Sequence, residues 1–416
     1  MLSAGKTLED SCPVCGSTQM ATLIDIAGVP VHCNLLWATR NEAIHAPRGD
    51  IRLGFCERCG HISNLAFNPG LMQYAQKYEN SLHFSPTFQS YAATTARRLI
   101  QRYDLYGKDI VEIGCGKGDF LKLLCELGEN SGLGFDPSYA PVPAADGASE
   151  RITFIPDFYS EGYSDHGADL ICCRHMLEHI PNPIDFLGMI RRAIGARLDT
   201  VVFFEVPNVL FILRDLSIWD IIYEHCSYFS AHSLRRAFTD SGFKVCDVAE
   251  VFEGQFLCIE AVPDEETAGA ANNGWDNCQK IGQYAAEFAE KYRSTMEAWR
   301  GELQRLTEAG RRLVLWGAGS KGVTFLNTLK SQDQIEYVVD INPRKHGRYI
   351  AGTGQEILPP KFLRTYRPDA IIAMNAIYES EIRQLTKKLG LVDLELLSVS
   401  GRQDGRGRKT QEAGIQ

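Results

Sequence analysis

One stretch gathers several side chains able to move a proton: Asp220-Ile-Ile-Tyr223-Glu224-His225-Cys-Ser-Tyr228-Phe-Ser230. A histidine beside a carboxylate, with tyrosine hydroxyls close by, can serve as a general base whose ring the carboxylate orients. A hydroxyl can then donate to a developing oxyanion. The expectation is His225 as base, Glu224 as its orienting partner and Tyr223 as a nearby hydroxyl. A lone histidine is more often structural; its company sets His225 apart. A second histidine, His179, stands in Glu178-His179-Ile180-Pro181 and reads equally as a loop cap or as a catalytic group.

Cys12-Pro-Val-Cys15 and Cys56-Glu-Arg-Cys59 are two CxxC turns separated by a gap of 40 residues. Each can offer two thiolates to one ion, and together they supply the four soft ligands that tetrahedral Zn²⁺ prefers. His61 and Cys33 are the substitute ligands. Unrelated thiol pairs or a redox CxxC are the competing readings. Four sulfurs leave no open coordination position, so such a zinc would be structural.

Val111-Glu112-Ile113-Gly114-Cys-Gly116-Lys-Gly118 runs from an apolar strand through GxGxG into a helix, Phe120–Leu127. Glycine lets the backbone turn sharply and lets a ligand approach without meeting a Cβ. The pattern resembles the first motif of class I S-adenosylmethionine (SAM) methyltransferases more than the dinucleotide GxGxxG. Those enzymes carry an acid two residues before the first glycine, as Glu112 stands here. The next strand ends in Asp136, placed to accept ribose hydroxyls, and Asp157 stands where that fold contacts adenine. Ala168 to Pro181, with His175, looks like its fourth strand and following loop. SAM is therefore the expected cofactor, and another nucleotide is the alternative. The sulfonium already activates the methyl group, so the protein must create and align a nucleophile. A carbon nucleophile requires a proton to leave from beside a carbonyl; an oxygen or nitrogen acceptor could use the same base.

A second loop, Gly317-Ala-Gly319-Ser320-Lys321-Gly322, is GxGxxG with Asp340 further on at a strand end. It fits a dinucleotide site. It fits equally the diphosphate of a nucleotide-linked substrate, held by loop amides, a helix N-terminus and Lys321. A loop that has kept its shape and lost its ligand is the third reading.

These residues need elements to hold them. Residues 1–75 are cysteine- and turn-rich and read as a zinc-binding domain. Strand and helix signals alternate through 76–262, predicting a mostly parallel sheet with helices on both faces. Strand candidates there are Ile110–Ile113, Gly132–Phe135, Ala168–Cys172, Thr200–Phe204 and Gln255–Ile259. Residues 263–275 read as a loop within a 263–310 linker. Ile281, Tyr284, Phe288, Tyr292, Met296, Trp299, Leu303 and Leu306 recur at helical spacing and predict a long helix packed on a core. Residues 311–402 read as a Rossmann-like unit with strands at Leu313–Trp316, Ile335–Val339 and Ala370–Ala373. The 403–416 tail has no apolar face and is expected to be disordered. The fold class is thus α/β: a zinc-binding domain, a central class I SAM domain and a C-terminal Rossmann-like domain.

The bulk numbers agree with that division. The chain has 416 residues, 44% hydrophobic and 23% charged, as in globular proteins with more than one core. A net charge of −9 argues against a nucleic-acid partner. Neither a signal peptide nor a membrane-spanning apolar run is evident. A cytoplasmic protein acting on a small molecule is expected. The 13 cysteines are odd in number and scattered, which fits reduced thiols plus one metal cluster.

With these residues in view, the chain resembles the zinc-containing sugar C-methyltransferases of deoxysugar biosynthesis, of the tetronitrose and mycarose type. The shared motifs are the CxxC pairs, Val-Glu-Ile-Gly-Cys-Gly-Lys-Gly, His175-Met-Leu-Glu-His179-Ile-Pro-Asn-Pro, Glu224-His225 with Ser-Tyr-Phe-Ser, and Trp-Gly-Ala-Gly-Ser-Lys-Gly. Tyr78-Glu-Asn-Ser81 also matches. The resemblance spans nearly the whole chain. It implies a nucleotide-linked 4-keto-6-deoxysugar bound between the central and C-terminal domains, its nucleotide held largely by the latter. It further implies proton removal beside the ketone, an enolate, and methylation of that carbon. The histidine matching His225 would be the base, with Tyr78, His179 and Glu224 lining the site. Gly317, Gly319, Ser320, Lys321 and Asn375 would hold the substrate. Two positions depart from the family motif. Ile222 replaces a tyrosine three residues before the histidine, and Ala373-Met-Asn375-Ala-Ile-Tyr378 lacks a tryptophan-asparagine pair. A methyltransferase for oxygen or carbon of another metabolite, and a non-catalytic SAM-binding scaffold, are the competing functions.

Overall fold

The computed structural model describes residues 11–72, 78–139, 151–265 and 275–399. The 403–416 tail and most of the 263–275 loop lie outside the described residues.

The chain opens with an antiparallel meander of β1 (Met20–Pro30), β2 (Arg48–Cys56) and β3 (Ile62–Asn64). Ser85 then caps the Pro86–Tyr103 helix by accepting the Phe88 N–H, with proline at the first turn. Next come β4 (Asp109–Ile113), β5 (Ser131–Phe135), β6 (Ile152–Ile155), β7 (Leu170–Arg174) and β8 (Val201–Pro207), all parallel. β7 and β8 are almost wholly apolar because helices cover both faces of the sheet.

β9 (Ser227–Tyr228) leaves this sheet and pairs with β3, Ile62 opposite Tyr228. The N-terminal sheet is thereby completed by the segment that carries Glu224 and His225. β10 (Phe243–Val251) and β11 (Phe256–Pro263) form a hairpin on the edge of the central sheet, whose order is β10-β11-β8-β7-β4-β5-β6 with β11 antiparallel to β8. Of β1 to β11, the strands β1, β2, β3, β6, β9 and β10 are not among the strand candidates of the sequence. β9 is only two residues long, and β10 alternates charged and apolar residues at the edge of its sheet.

The long helix runs over Trp275–Glu308. Ile281, Phe288, Leu303 and Leu306 of its apolar stripe are buried, and Tyr284, Tyr292, Met296 and Trp299 partly so. They share one core with Phe55 of β2, Trp219 before β9 and Phe325 beyond the second glycine loop. The C-terminal sheet is fully parallel in the order β14-β13-β12-β15-β16, from β12 (Leu313–Trp316), β13 (Ile335–Val339), β14 (Glu356–Leu358), β15 (Ala370–Ala373) and β16 (Glu395–Ser398). No helix among the described residues is long and apolar enough to cross a membrane.

Candidate active site

The first glycine loop joins β4 to the Asp119–Gly128 helix. Glu112 is buried, and its carboxylate accepts the Leu121 N–H at 3.0 Å, so it pins the first turn of that helix from below. Burial pushes its carboxyl up to about 8, against the nearby Arg174 charge. Asp136, at the end of β5, accepts the Gly116 N–H at 2.8 Å and the Ser138 hydroxyl at 2.6 Å. Gly116 has a φ of +56°, and a Cβ there would face open space, which is the room a ligand needs. Asp157 follows β6 and is exposed; it accepts the Tyr163 hydroxyl at 2.9 Å.

At the end of β7, His175 holds a left-handed φ of +53°, and its Nε2 lies 2.8 Å from Glu205. Arg174 donates to the same carboxylate at 2.8 Å, and the Tyr91 hydroxyl donates to its other oxygen. Burial works against the Glu205 charge, but Arg174 and His175 outweigh it and hold the carboxyl well below its usual range. Arg174, Tyr91 and Glu205 carry no role in the sequence reading. The signal was present: a glutamate inside Val-Val-Phe-Phe-Glu-Val-Pro is a charge in a buried strand and needs a partner.

Just beyond, the turn Leu177–His179 brings both candidate loops together. The His179 and His225 rings are edge to face with centroids 5.0 Å apart. His179 Nδ1 lies 3.0 Å from the Glu224 carbonyl oxygen, which fixes that ring. Ligand atoms of Glu178, His179 and His225 all lie within 4.8 Å of one another. Burial drives the His225 imidazole well below its ordinary pKa, helped by His179 and His175, and lowers His179 as well. Burial also pushes the Glu178 carboxyl up to about 8. The same turn touches the cofactor loop. Met176 Sδ stands 2.7 Å from where a Cβ on Gly114 would be.

Several expectations need correction. The Glu224 carboxylate does not orient His225. One oxygen lies 3.3 Å from His32 Nδ1 and the other accepts the Cys33 N–H at 3.1 Å, so it binds the N-terminal domain. The Tyr223 hydroxyl accepts the Asn68 N–H at 2.9 Å, and its ring packs on Phe67, away from the histidines. Both side chains are buried against the N-terminal residues because β9 draws this segment into the N-terminal sheet. Tyr228 lies 5.8 Å from His225 by ring centroids, but its hydroxyl bonds the backbone of Ile222 in both directions. Tyr78 pairs with Leu35 in an isolated bridge and sets its ring 6.5 Å from that of His32, on the Glu224 side of the site.

In the C-terminal domain, Gly317 and Gly319 shape the turn before the Ser320–Leu329 helix. A Cβ on Gly322 would stand 2.1 Å from the Gly317 carbonyl oxygen, so this glycine serves the close helix–loop contact. Asp340 accepts the Ala318 N–H at 2.8 Å and so braces the loop itself. Lys321 is paired with Asp220 at 2.9 Å, and Asn375 exchanges two hydrogen bonds with Gln255. Both side chains therefore tie this domain to the central one. Buried Glu79 does the same, accepting from Asn342 at 3.0 Å.

The four cysteines of the CxxC turns meet at the N-terminal domain. Cys12 and Cys59 sulfurs are 3.5 Å apart, as are those of Cys15 and Cys56. Sulfurs about 2.3 Å from a tetrahedral zinc stand about 3.8 Å apart, so the set fits that ion. The two turns are alike: Gly16 donates to the Cys12 carbonyl and Gly60 to the Cys56 carbonyl. His61 and Cys33 lie outside the four-sulfur group. His61 packs 4.9 Å from Phe229 instead, and burial lowers it to about 3, which keeps it neutral.

A methyltransferase domain model matches residues 88–248, and a C-methyltransferase C-terminal domain model matches residues 271–391. The C-methyltransferase NovU of Streptomyces niveus is 25% identical over 398 residues, covering 90% of this chain and 91% of its own. A ubiquinone biosynthesis O-methyltransferase of Actinobacillus pleuropneumoniae is 30% identical over 114 residues, only 25% of this chain and 47% of that relative. A solved S-adenosylmethionine-dependent methyltransferase from Listeria monocytogenes, itself described as putative, is similar at 13% identity with a TM-score of 0.32, covering 42% of this chain and 100% of its own. The central domain, with its glycine loop, is that of a SAM-dependent methyltransferase, and the chain is an enzyme of that class. Its C-terminal residues match the C-methyltransferase C-terminal domain, and along most of its length the chain is similar to a C-methyltransferase.

Proposed function

We propose that the enzyme methylates a carbon beside the ketone of a nucleotide-linked 4-keto-6-deoxysugar, with His225 as base. The observation that carries this reading is the turn between β7 and His179, which touches the cofactor loop through Met176 and His225 through His179. A base and a methyl donor served by one turn can be aligned on one substrate carbon. His225 takes the proton from that carbon. Its electrons form the enolate and then the new bond to the methyl carbon, while the carbon–sulfur bond breaks and S-adenosylhomocysteine leaves. The hydroxyls of Tyr223 and Tyr228 are bound to backbone, so Tyr78 is the donor assigned to the enolate oxygen, and His179, whose one N–H goes to the Glu224 carbonyl, lines the site. The match to the Streptomyces niveus relative along nearly the whole chain supports a carbon acceptor over the oxygen of the shorter relative.

Asp136, Asp157 and the loop of Gly114, Gly116 and Gly118 are assigned to SAM, with Glu112 and His175 shaping that pocket. The loop of Gly317, Gly319 and Ser320 is assigned to the substrate's diphosphate, which Lys321 reaches by leaving Asp220. Zn²⁺ held by Cys12, Cys15, Cys56 and Cys59 is structural, since four thiolates fill its coordination. Replacing His225 by Ala should abolish turnover and spare SAM binding by calorimetry. A fully active variant would overturn the assignment.

A further inference from the structure

Outside the cysteine cluster, one group among the described residues has the ligand types and spacing of a metal site: Glu178, His179 and His225, all within 4.8 Å of one another. Two imidazoles and a carboxylate are a ligand set that zinc, nickel and cobalt accept, with positions left open. Bound ligands stand roughly 3–3.5 Å apart around such an ion, so closure needs about an ångström of side-chain movement.

The environment of the three points the same way. Glu178 is only 2% exposed, and its Oε2 is buried with no hydrogen-bond partner. Its other oxygen lies 4.0 Å from His175 Nδ1. His225 Nδ1 is likewise buried without a partner. Polar atoms are rarely left so in a packed interior, and each is costly until something binds it. His179 turns its Nδ1 to the Glu224 carbonyl, the second-sphere contact that orients metal-bound imidazoles.

We propose that Glu178, His179 and His225 form a second metal site, for a divalent transition ion, and that filling it silences the enzyme. The silencing rests on the reading of His225 as base: an imidazole whose lone pair is held by an ion cannot take a proton. The site would make methyl transfer sensitive to free zinc, nickel or cobalt while the structural ion stays in place.

The test is a Co²⁺ titration of the full chain carrying its cysteine-bound zinc, followed by absorption and by equilibrium dialysis. The proposal expects one further equivalent with visible d–d bands and no thiolate-to-cobalt charge-transfer band. It also expects methyl transfer to fall in step with occupancy and to recover on mild chelation. Glu178→Gln should weaken this equivalent by at least ~10-fold, and His179→Ala should do the same where the first variant folds poorly. No uptake beyond the thiolate-bound ion, or undiminished uptake in both variants, would overturn the site. Uptake without loss of activity would leave the site standing and overturn His225 as base.

Discussion

The His179 ring is held by the main chain of Glu224, its Nδ1 3.0 Å from that carbonyl oxygen. One candidate loop therefore sets the geometry of the other, and does so with a backbone atom that no side-chain substitution removes. The Glu224 side chain faces the opposite way, toward His32 and Cys33. Position 224 thus joins the histidine pair to the N-terminal domain. Glu224→Ala should leave the Cys33 N–H buried without its acceptor and cost about 1–3 kcal/mol of stability. Glu224→Gln should cost less. Unfolding midpoints in urea would check both, and equal stabilities for the two variants would contradict this role.

The cysteine cluster is tied to the site through β2, β3 and β9. Cys59→Ser should lower the bound zinc and the melting temperature, the latter by roughly 5–10 °C. Methyl transfer should fall as well, because β9 begins two residues after His225. Metal analysis with parallel activity assays would test this. A zinc-free variant of full activity would separate the domain from the site.

Glu112 offers a pH signature. Its carboxyl is raised by burial to about 8 in the folded protein, above its unfolded value near 4.3. The folded state therefore holds the proton more tightly, and the contribution to stability is complete below the unfolded value. It is lost as pH rises through about 8, at most about 1.4 kcal/mol per pH unit. Glu112→Gln keeps an acceptor for the Leu121 N–H and removes the titration. Urea unfolding between pH 5 and pH 9 should show a flatter profile for the variant; parallel profiles would contradict the shift.

Lys321 and Asp220 form a half-hidden ion pair between the second glycine loop and the segment leading to His225. A diphosphate that draws Lys321 away must break this pair. Lys321→Met should raise KM for the nucleotide sugar about 10-fold, or about 1.4 kcal/mol, with the Kd for SAM unchanged. An unaltered KM would remove Lys321 from the substrate site.

Much of this arrangement was legible because it is local. The CxxC turns, GxGxG after an apolar strand and the stripe from Ile281 to Leu306 each carry their meaning within a short window. What was not legible depends on distant partners. His32 meets Glu224 across 192 residues, and Asn375 meets Gln255 across 120. A neighbouring Glu-His pair looks like a catalytic dyad in one dimension. Here the chain turns at Tyr223–Glu224, and Glu224 reaches His32 and Cys33 while His225 packs against His179. Glu178 stood inside a recognised motif, yet its burial, which gives it chemistry, is a property of the folded protein.

The most direct test is product analysis after incubating the enzyme in D₂O with SAM and a panel of nucleotide-linked 4-ketosugars, read by mass spectrometry and NMR. The account predicts a methylated sugar in which the new methyl stands on the carbon beside the ketone and the original proton of that carbon is gone. A methyl on oxygen with that proton retained, or no methylated sugar despite measurable SAM binding, would contradict it.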